Sequence, residues 1–61
     1  MYEVFARNWY KLENNELVPH YGAPETYIGE AKDADEARAM CKEYNDNNDE
    51  GVLSHKAEFR S

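Results

Sequence analysis

The stretch Asp33-Ala34-Asp35-Glu36-Ala37-Arg38-Ala39-Met40-Cys41-Lys42-Glu43-Tyr44 decides the fold. Asp33 is a residue type that accepts a hydrogen bond from a free amide at a helix start, and Glu36 three residues later suits a capping box. Asp35 falls near the positive end of the helix dipole, where a carboxylate is favourable. Ala34, Ala37, Met40, Cys41 and Tyr44 then follow helical spacing, while Asp35, Glu36, Arg38, Lys42 and Glu43 occupy the rest of the circumference. The spacing predicts one helix with a single buried stripe. Its small residues allow the first turns to lie close to a sheet, and Met40 and Tyr44 fill the wider end. Asn45-Asp46-Asn47-Asn48-Asp49-Glu50-Gly51 favours turns over helix interior and stops it.

On either side of this helix the period changes to two. From Tyr2 to Leu12, Tyr2, Val4, Ala6, Tyr10 and Leu12 alternate with Phe5, Arg7, Trp9 and Lys11, which predicts one long strand with both faces partly apolar. Asn14-Asn15 signals a turn. Pro19 and Gly22-Ala23-Pro24 argue against a continuous central strand over 16–24, so a long loop or a short edge hairpin is expected within 13–25. A second strand is expected over Thr26–Ala31, weakened by Gly29, and a third over Val52–Phe59, with Leu53, Ala57 and Phe59 on one face. These elements predict a single α+β domain over residues 1–61 of order β-β-α-β. Its three-stranded antiparallel sheet has spatial order 2-1-3, with the first strand central and the helix on one face.

At 61 residues the chain can bury only about 60% of its unfolded surface, so the core must be thin. Cys41 is the only cysteine, which leaves no intramolecular disulfide and no cysteine zinc cage; self-association is the remaining staple. Thirteen acids against seven bases give a net charge of -6, which opposes direct nucleic-acid binding and anionic membranes. No basic-then-apolar leader follows Met1, no run approaches the ~20 apolar residues of a membrane span, and no Asn-x-Ser/Thr sequon occurs, so a cytoplasmic location is expected.

One helix covers one side of such a sheet. Phe5, Arg7, Trp9 and Lys11 on the other side therefore form a candidate partner-binding or self-association surface, since Trp and Arg are enriched where binding energy concentrates. The competing reading folds the segment from Asn14 to Pro24 back over that face. A second candidate is the acidic helix start, Asp35 and Glu36, which with Asp33, Asp46, Asp49 and Glu50 would imitate phosphate charge, although charge runs are usually solvated faces. Asp46, Asn48, Glu50 and Gly51 fit positions 1, 3, 5 and 6 of a calcium loop, but Ala57 stands at position 12 where a bidentate Glu belongs, so no metal is assigned. Cys41 on the apolar stripe reads as a small hydrophobe. His20 and His55 lack sequence neighbours that would suggest a triad or ligand set, and no catalytic residue or cofactor is expected.

Glu36-Ala37-Arg38 through Tyr44-Asn45, followed by Gly51-Val52-Leu53-Ser54 and Lys56-Ala57-Glu58-Phe59, resembles the short accessory proteins of bacteriophages over roughly the C-terminal half. That group includes anti-CRISPR and other anti-defence inhibitors. The resemblance implies a non-catalytic protein that binds a host defence protein stoichiometrically in the host cytoplasm, and it carries over no functional residue. The alternatives are a small homo-oligomeric structural or regulatory protein, and an oligomer that sequesters a small signalling ligand on gathered bases such as Arg7, Lys11 or Arg60.

Overall fold

The computed structural model describes residues 1–61. In chain order it contains β1 (Tyr2–Asn8), β2 (Tyr10–Glu13), β3 (Glu16–Pro19), β4 (Thr26–Ala31), α1 (Ala34–Asn47) and β5 (His55–Arg60). The chain is α+β. β1 is central in a three-stranded sheet of order β4-β1-β5, antiparallel to both neighbours, and β2 and β3 pair with each other in a separate two-stranded sheet.

The expected long strand over 2–12 is thus two strands. β1 is paired with β4 as far as Ala6, opposite Thr26, and with β5 as far as Asn8, opposite His55, where the partner strands run out. The amides of Trp9 and Tyr10 instead donate to the carbonyls of Ser54 and Leu53, at 3.2 and 3.0 Å, and the chain leaves the sheet. Tyr10 and Leu12, expected on the core side, stand exposed on the hairpin. Asn14 and Asn15 both take positive φ, 53° and 67°, a conformation Asn tolerates and a two-residue hairpin turn requires. The expected loop or edge hairpin within 13–25 is neither: β3 pairs back onto β2 in a hairpin over 10–19 that stands apart from the main sheet, closed by Tyr10 opposite Pro19, and residues 20–25 form no strand.

The third strand begins later than its alternation predicts. Residues 51–54 form a turn in which Gly51 and Ser54 have positive φ, the Ser54 amide donates to Gly51, and Val52 is exposed. Alternation over Val52–Ser54 was coincidental with a turn whose carbonyls hold the root of the hairpin.

The helix starts where its cap residue dictates. The Glu36 amide donates to Asp33 Oδ1 at 2.8 Å, and the reciprocal bond to Glu36 Oε1 comes from the Lys32 amide, one residue before the cap. At the other end the Asn47 and Asn48 side-chain amides donate to the carbonyls of Glu43 and Tyr44, the latter among the last four carbonyls that the helical ladder leaves over. Asn45 Oδ1 accepts from the Ala57 amide, which occupies part of β5's free edge.

Packing follows the stripe. Val4, Ala31 and Ala37 are fully buried, with Tyr2, Ile28, Met40, Cys41 and Phe59 packed around them. The Tyr2 and Phe59 rings meet edge to face at 5.6 Å between centroids. The pairing of β1 with β4 slips between Val4, opposite Gly29, and Phe5, opposite Tyr27, so Ile28 is an extra residue, a β-bulge. Gly29 lies directly beneath the Met40 methyl; a Cβ there would stand 3.0 Å from Met40 Cε. Burial, aided by the charge of Glu58, pushes the Cys41 thiol above its ordinary pKa, in keeping with a packing role.

Candidate binding surface: the far face and the hairpin

The side of the sheet opposite the helix is a cross-strand ladder of acids, bases and aromatics. Register places Glu3 beside Arg60, Phe5 beside Glu58 and Arg7 beside Lys56. The Arg60 guanidinium binds Glu3 and Glu25 and lies 4.3 Å from the Phe5 ring centroid, and Arg7 Nε donates to Glu58 at 2.7 Å. Its two carboxylate partners hold Arg60 well above the usual guanidinium pKa, and Arg60 in turn lowers that of Glu25. These pairs reach solvent, their side chains being from 28% to 53% exposed, and there an ion pair contributes about 0–1 kcal/mol and a cation over a ring about 0.5–1 kcal/mol. They order the face more than they stabilise it.

Coverage of this face is uneven. The segment after the hairpin folds back over its lower half: Ala23 is buried, Glu25 reaches Arg60, and Phe5 beneath is only 5% exposed. Of the two readings open for this face, the folded-back segment therefore applies at Phe5. At Trp9, which is 36% exposed at the break between β1 and β2, the cover is only partial: Pro19, His20 and Tyr21 border it in an open cleft, with the Lys56 ammonium 5.0 Å and the Arg7 guanidinium 5.7 Å from its ring.

The six residues expected from sequence to form the surface are not one cluster. Phe5, Arg7 and Trp9 follow one another up the far face. Lys11 lies on the hairpin side that carries Val18, opposite it in register, with its ammonium 3.5 Å from Glu13. Asp35 and Glu36 belong to the first turn of α1, in the helical layer. Asp35 binds Arg38 at 3.0 Å and Glu36 is engaged in the cap, so the helix start uses both locally. Asp46 and Glu50 likewise bind Lys42 and Lys56, at 2.7 and 3.6 Å.

Sequence reasoning missed the hairpin as the main exposed feature. Because register sets Tyr10 opposite Pro19 and Leu12 opposite Leu17, these four side chains share one face, and no helix or third strand covers it. Leu12 is 61% and Leu17 50% exposed. The signal was present in the alternation of Tyr10, Leu12, Leu17 and Pro19 about Asn14-Asn15, but it resembled the inward face of a longer strand.

His55 also gains partners that sequence spacing could not reveal. Its Nδ1 lies 2.8 Å from Asn8 Oδ1 and its Nε2 2.9 Å from the Tyr44 hydroxyl. With the carbonyl oxygen of Asn8 as acceptor, Nδ1 carries the hydrogen and Nε2 accepts from Tyr44. The chain of bonds ties β1, α1 and β5 together at the end of the sheet nearest the hairpin.

No helix is long and apolar enough to cross a membrane. Comparison with known protein families, with curated proteins and with solved structures finds no match to this chain.

Proposed function

We propose that this chain is a non-catalytic binding protein that blocks a larger protein by stoichiometric association, with the β2–β3 hairpin as the inserted element. One observation carries the reading: Tyr10, Leu12, Leu17 and Pro19 form an apolar row on a hairpin that packs extensively against neither the sheet nor the helix. An uncovered apolar row of this kind is where binding energy is available. Beside the tip, the opposite side of the hairpin carries the pair Glu13 and Glu16, and the chain as a whole carries a charge of -6. The complementary partner is therefore a protein with an apolar groove and a basic rim. The likeness to small phage accessory proteins supports a host defence protein in the host cytoplasm as that partner, with Trp9, Arg7 and Lys11 at the edge of the contact and the acidic turn at Asp35 and Glu36 a secondary one. A second reading, in which the row meets another copy of the chain, is favoured by the two unpaired outer edges of the hairpin.

The test compares the wild-type chain with Leu12→Asp/Leu17→Asp. Both positions are exposed, so the double variant should keep its helical and sheet signals and unfold within about 0.5 kcal/mol per site of wild type. Capture of a partner from bacterial lysate, repeated with the purified partner in a titration, should be lost in the variant and weakened by salt. Unchanged capture would defeat the proposal. So would light scattering that shows a closed wild-type oligomer reduced to monomer by the same substitutions, an outcome that selects the self-association reading.

A further inference from the structure

A cleft of about 200 Å³ opens at the root of the hairpin, lined by Arg7, Trp9, Tyr10, Pro19, His20 and Tyr21. Its floor is fixed, because the His20 amide donates to the Trp9 carbonyl at 2.9 Å and the Tyr10 amide to Leu53. Arg7 is fixed too. Glu58 holds its Nε, while Nη1 and Nη2 make no hydrogen bond within the chain, leaving that edge of the guanidinium free to donate. The His20 side chain, half-buried, is likewise without a hydrogen-bond partner. Tyr21, 89% exposed and followed by Gly22 at φ 76°, stands at the mouth as a ring with room to turn.

Larger hollows exist, of about 380 Å³ between Ile28, Met40 and Tyr44, about 500 Å³ beside Glu3, Glu30 and Arg60, and about 370 Å³ beside Ala39 and Lys42, where the lysine is held by Asp46 and no aromatic ring lines the wall. The first offers no cation. In the second, Arg60 is already bound by Glu3 and Glu25. The root cleft alone combines an unspent guanidinium edge with several aromatic rings.

We infer that this cleft binds a small anion bearing a single flat ring, with the ring against Trp9, Tyr10 and Tyr21 and its carboxylate or phosphate on Arg7. The planar fork of Arg suits either anion, and stacking on aromatic side chains tolerates any flat ring. The volume, below the ~300 Å³ at which ordinary ligand sites begin, admits one ring system. The charge of -6 opposes a polyanion, so the ligand is a free small molecule and not a nucleic-acid strand. The cleft shares Tyr10 and Pro19 with the apolar row and Arg7 and Trp9 with its edge, whereas Leu12 and Leu17, which test the protein-binding role, do not line it.

Trp9 is the only tryptophan, so its indole N–H gives one resolved resonance at the site. The full chain is titrated with uridine monophosphate, benzoate, uridine and inorganic phosphate. Saturable movement of the indole signal by either ring-bearing anion supports the inference, and the one that binds tells phosphate from carboxylate. Uridine and inorganic phosphate should each bind at least tenfold more weakly. Arg7→Gln should weaken binding tenfold or more. Tyr21→Ala, at a position too exposed to affect folding, should weaken it severalfold, while Leu12→Asp/Leu17→Asp should leave it intact. No saturation by either ring-bearing anion up to about 10 mM, beyond the weak end of specific affinity, overturns the inference. Equal binding of uridine or phosphate, or indifference to both Arg7→Gln and Tyr21→Ala, does the same.

Discussion

Val4→Ala tests how little holds this fold together. Val4 is the only side chain larger than alanine that is completely buried, and it sits between Ala31 and Ala37, whose side chains have no reach to fill a gap. Its backbone is paired on both edges, with Gly29 on one side and Phe59 on the other, so the strand cannot move inward. Removing two carbons forfeits about 1.6 kcal/mol of transfer free energy. Incomplete collapse adds on the order of 0.5–1 kcal/mol, the lower value applying if the flexible Met40 chain moves in. A chain of this size has a total stability of roughly 3–9 kcal/mol, so a loss of about 2–2.5 kcal/mol is a large share. At about 4–8 °C per kcal/mol for small domains, the melting temperature should fall by roughly 10–20 °C. Circular dichroism melts of Val4→Ala and of Leu17→Ala, its exposed control, provide the assay. The control should stay within a few degrees of wild type. A drop for Val4→Ala no larger than that of the control would mean that the Val4–Ala31–Ala37 cluster is not the core.

Two further outcomes follow from named contacts. Asp33→Ala removes the bond to the Glu36 amide and should cost about 1 kcal/mol, read as a melting temperature lower by about 4–8 °C and reduced helical signal at 222 nm; an unchanged melt would show that the cap is dispensable. Glu25 has its pKa lowered by the Arg60 hydrogen bond, so its contribution to stability is complete above the ordinary glutamate value of about 4.3 and is lost as pH falls through the lowered one. Glu25→Gln should therefore flatten the acid limb of a melting-temperature profile below about pH 4.3, and parallel wild-type and variant profiles would remove Arg60 as the cause.

The parts of this fold legible in the sequence are those specified by residues close together in the chain. The cap at Asp33, the stripe through Ala37 and Met40, the turn at Asn14-Asn15 and the strand over 26–31 each depend on local chemistry, and each stands where that chemistry puts it. The central position of β1 was also legible, because the most apolar strand belongs where both edges and one face are covered. Alternation failed where it continued past the end of pairing. Nothing in Trp9-Tyr10-Lys11-Leu12 says that the sheet has stopped, since the same period serves a sheet strand and a free hairpin; the length of the partner strand decides, and β5 begins only at His55, opposite Asn8. The candidate surface suffered from the same ambiguity. Phe5 and Trp9 share a face by parity, but Ala23 and Glu25, brought back from eighteen or more residues downstream of Phe5, separate a covered ring from a partly exposed one. The Asn8–His55–Tyr44 bonds span up to 47 positions and have no local signature.

The exposed hairpin and the thin core are connected through what holds the hairpin in place. A two-stranded hairpin is at best marginally stable alone, and this one has no sheet or helix beneath it. It is held by its turn, by its own ladder, and at the root by the Trp9, Tyr10 and His20 amides, which bond to Ser54, Leu53 and Trp9 carbonyls. Those root bonds depend on the 51–54 turn, which also launches β5 and places His55 between Asn8 and Tyr44. Root and tip should therefore respond differently to substitution. Changes at Leu12 or Leu17 remove apolar surface that folding leaves half-exposed or more, so in the proposed binding role they act chiefly on association. Changes that disturb Trp9 or the 51–54 turn act on the sheet's end and on the hairpin's direction together, so any loss of binding there carries a loss of stability with it. In the proposed binding role, that separation would let the tip vary in sequence to suit a partner while Val4, Ala31 and Ala37 stay fixed, an arrangement suited to a small domain whose core is thin.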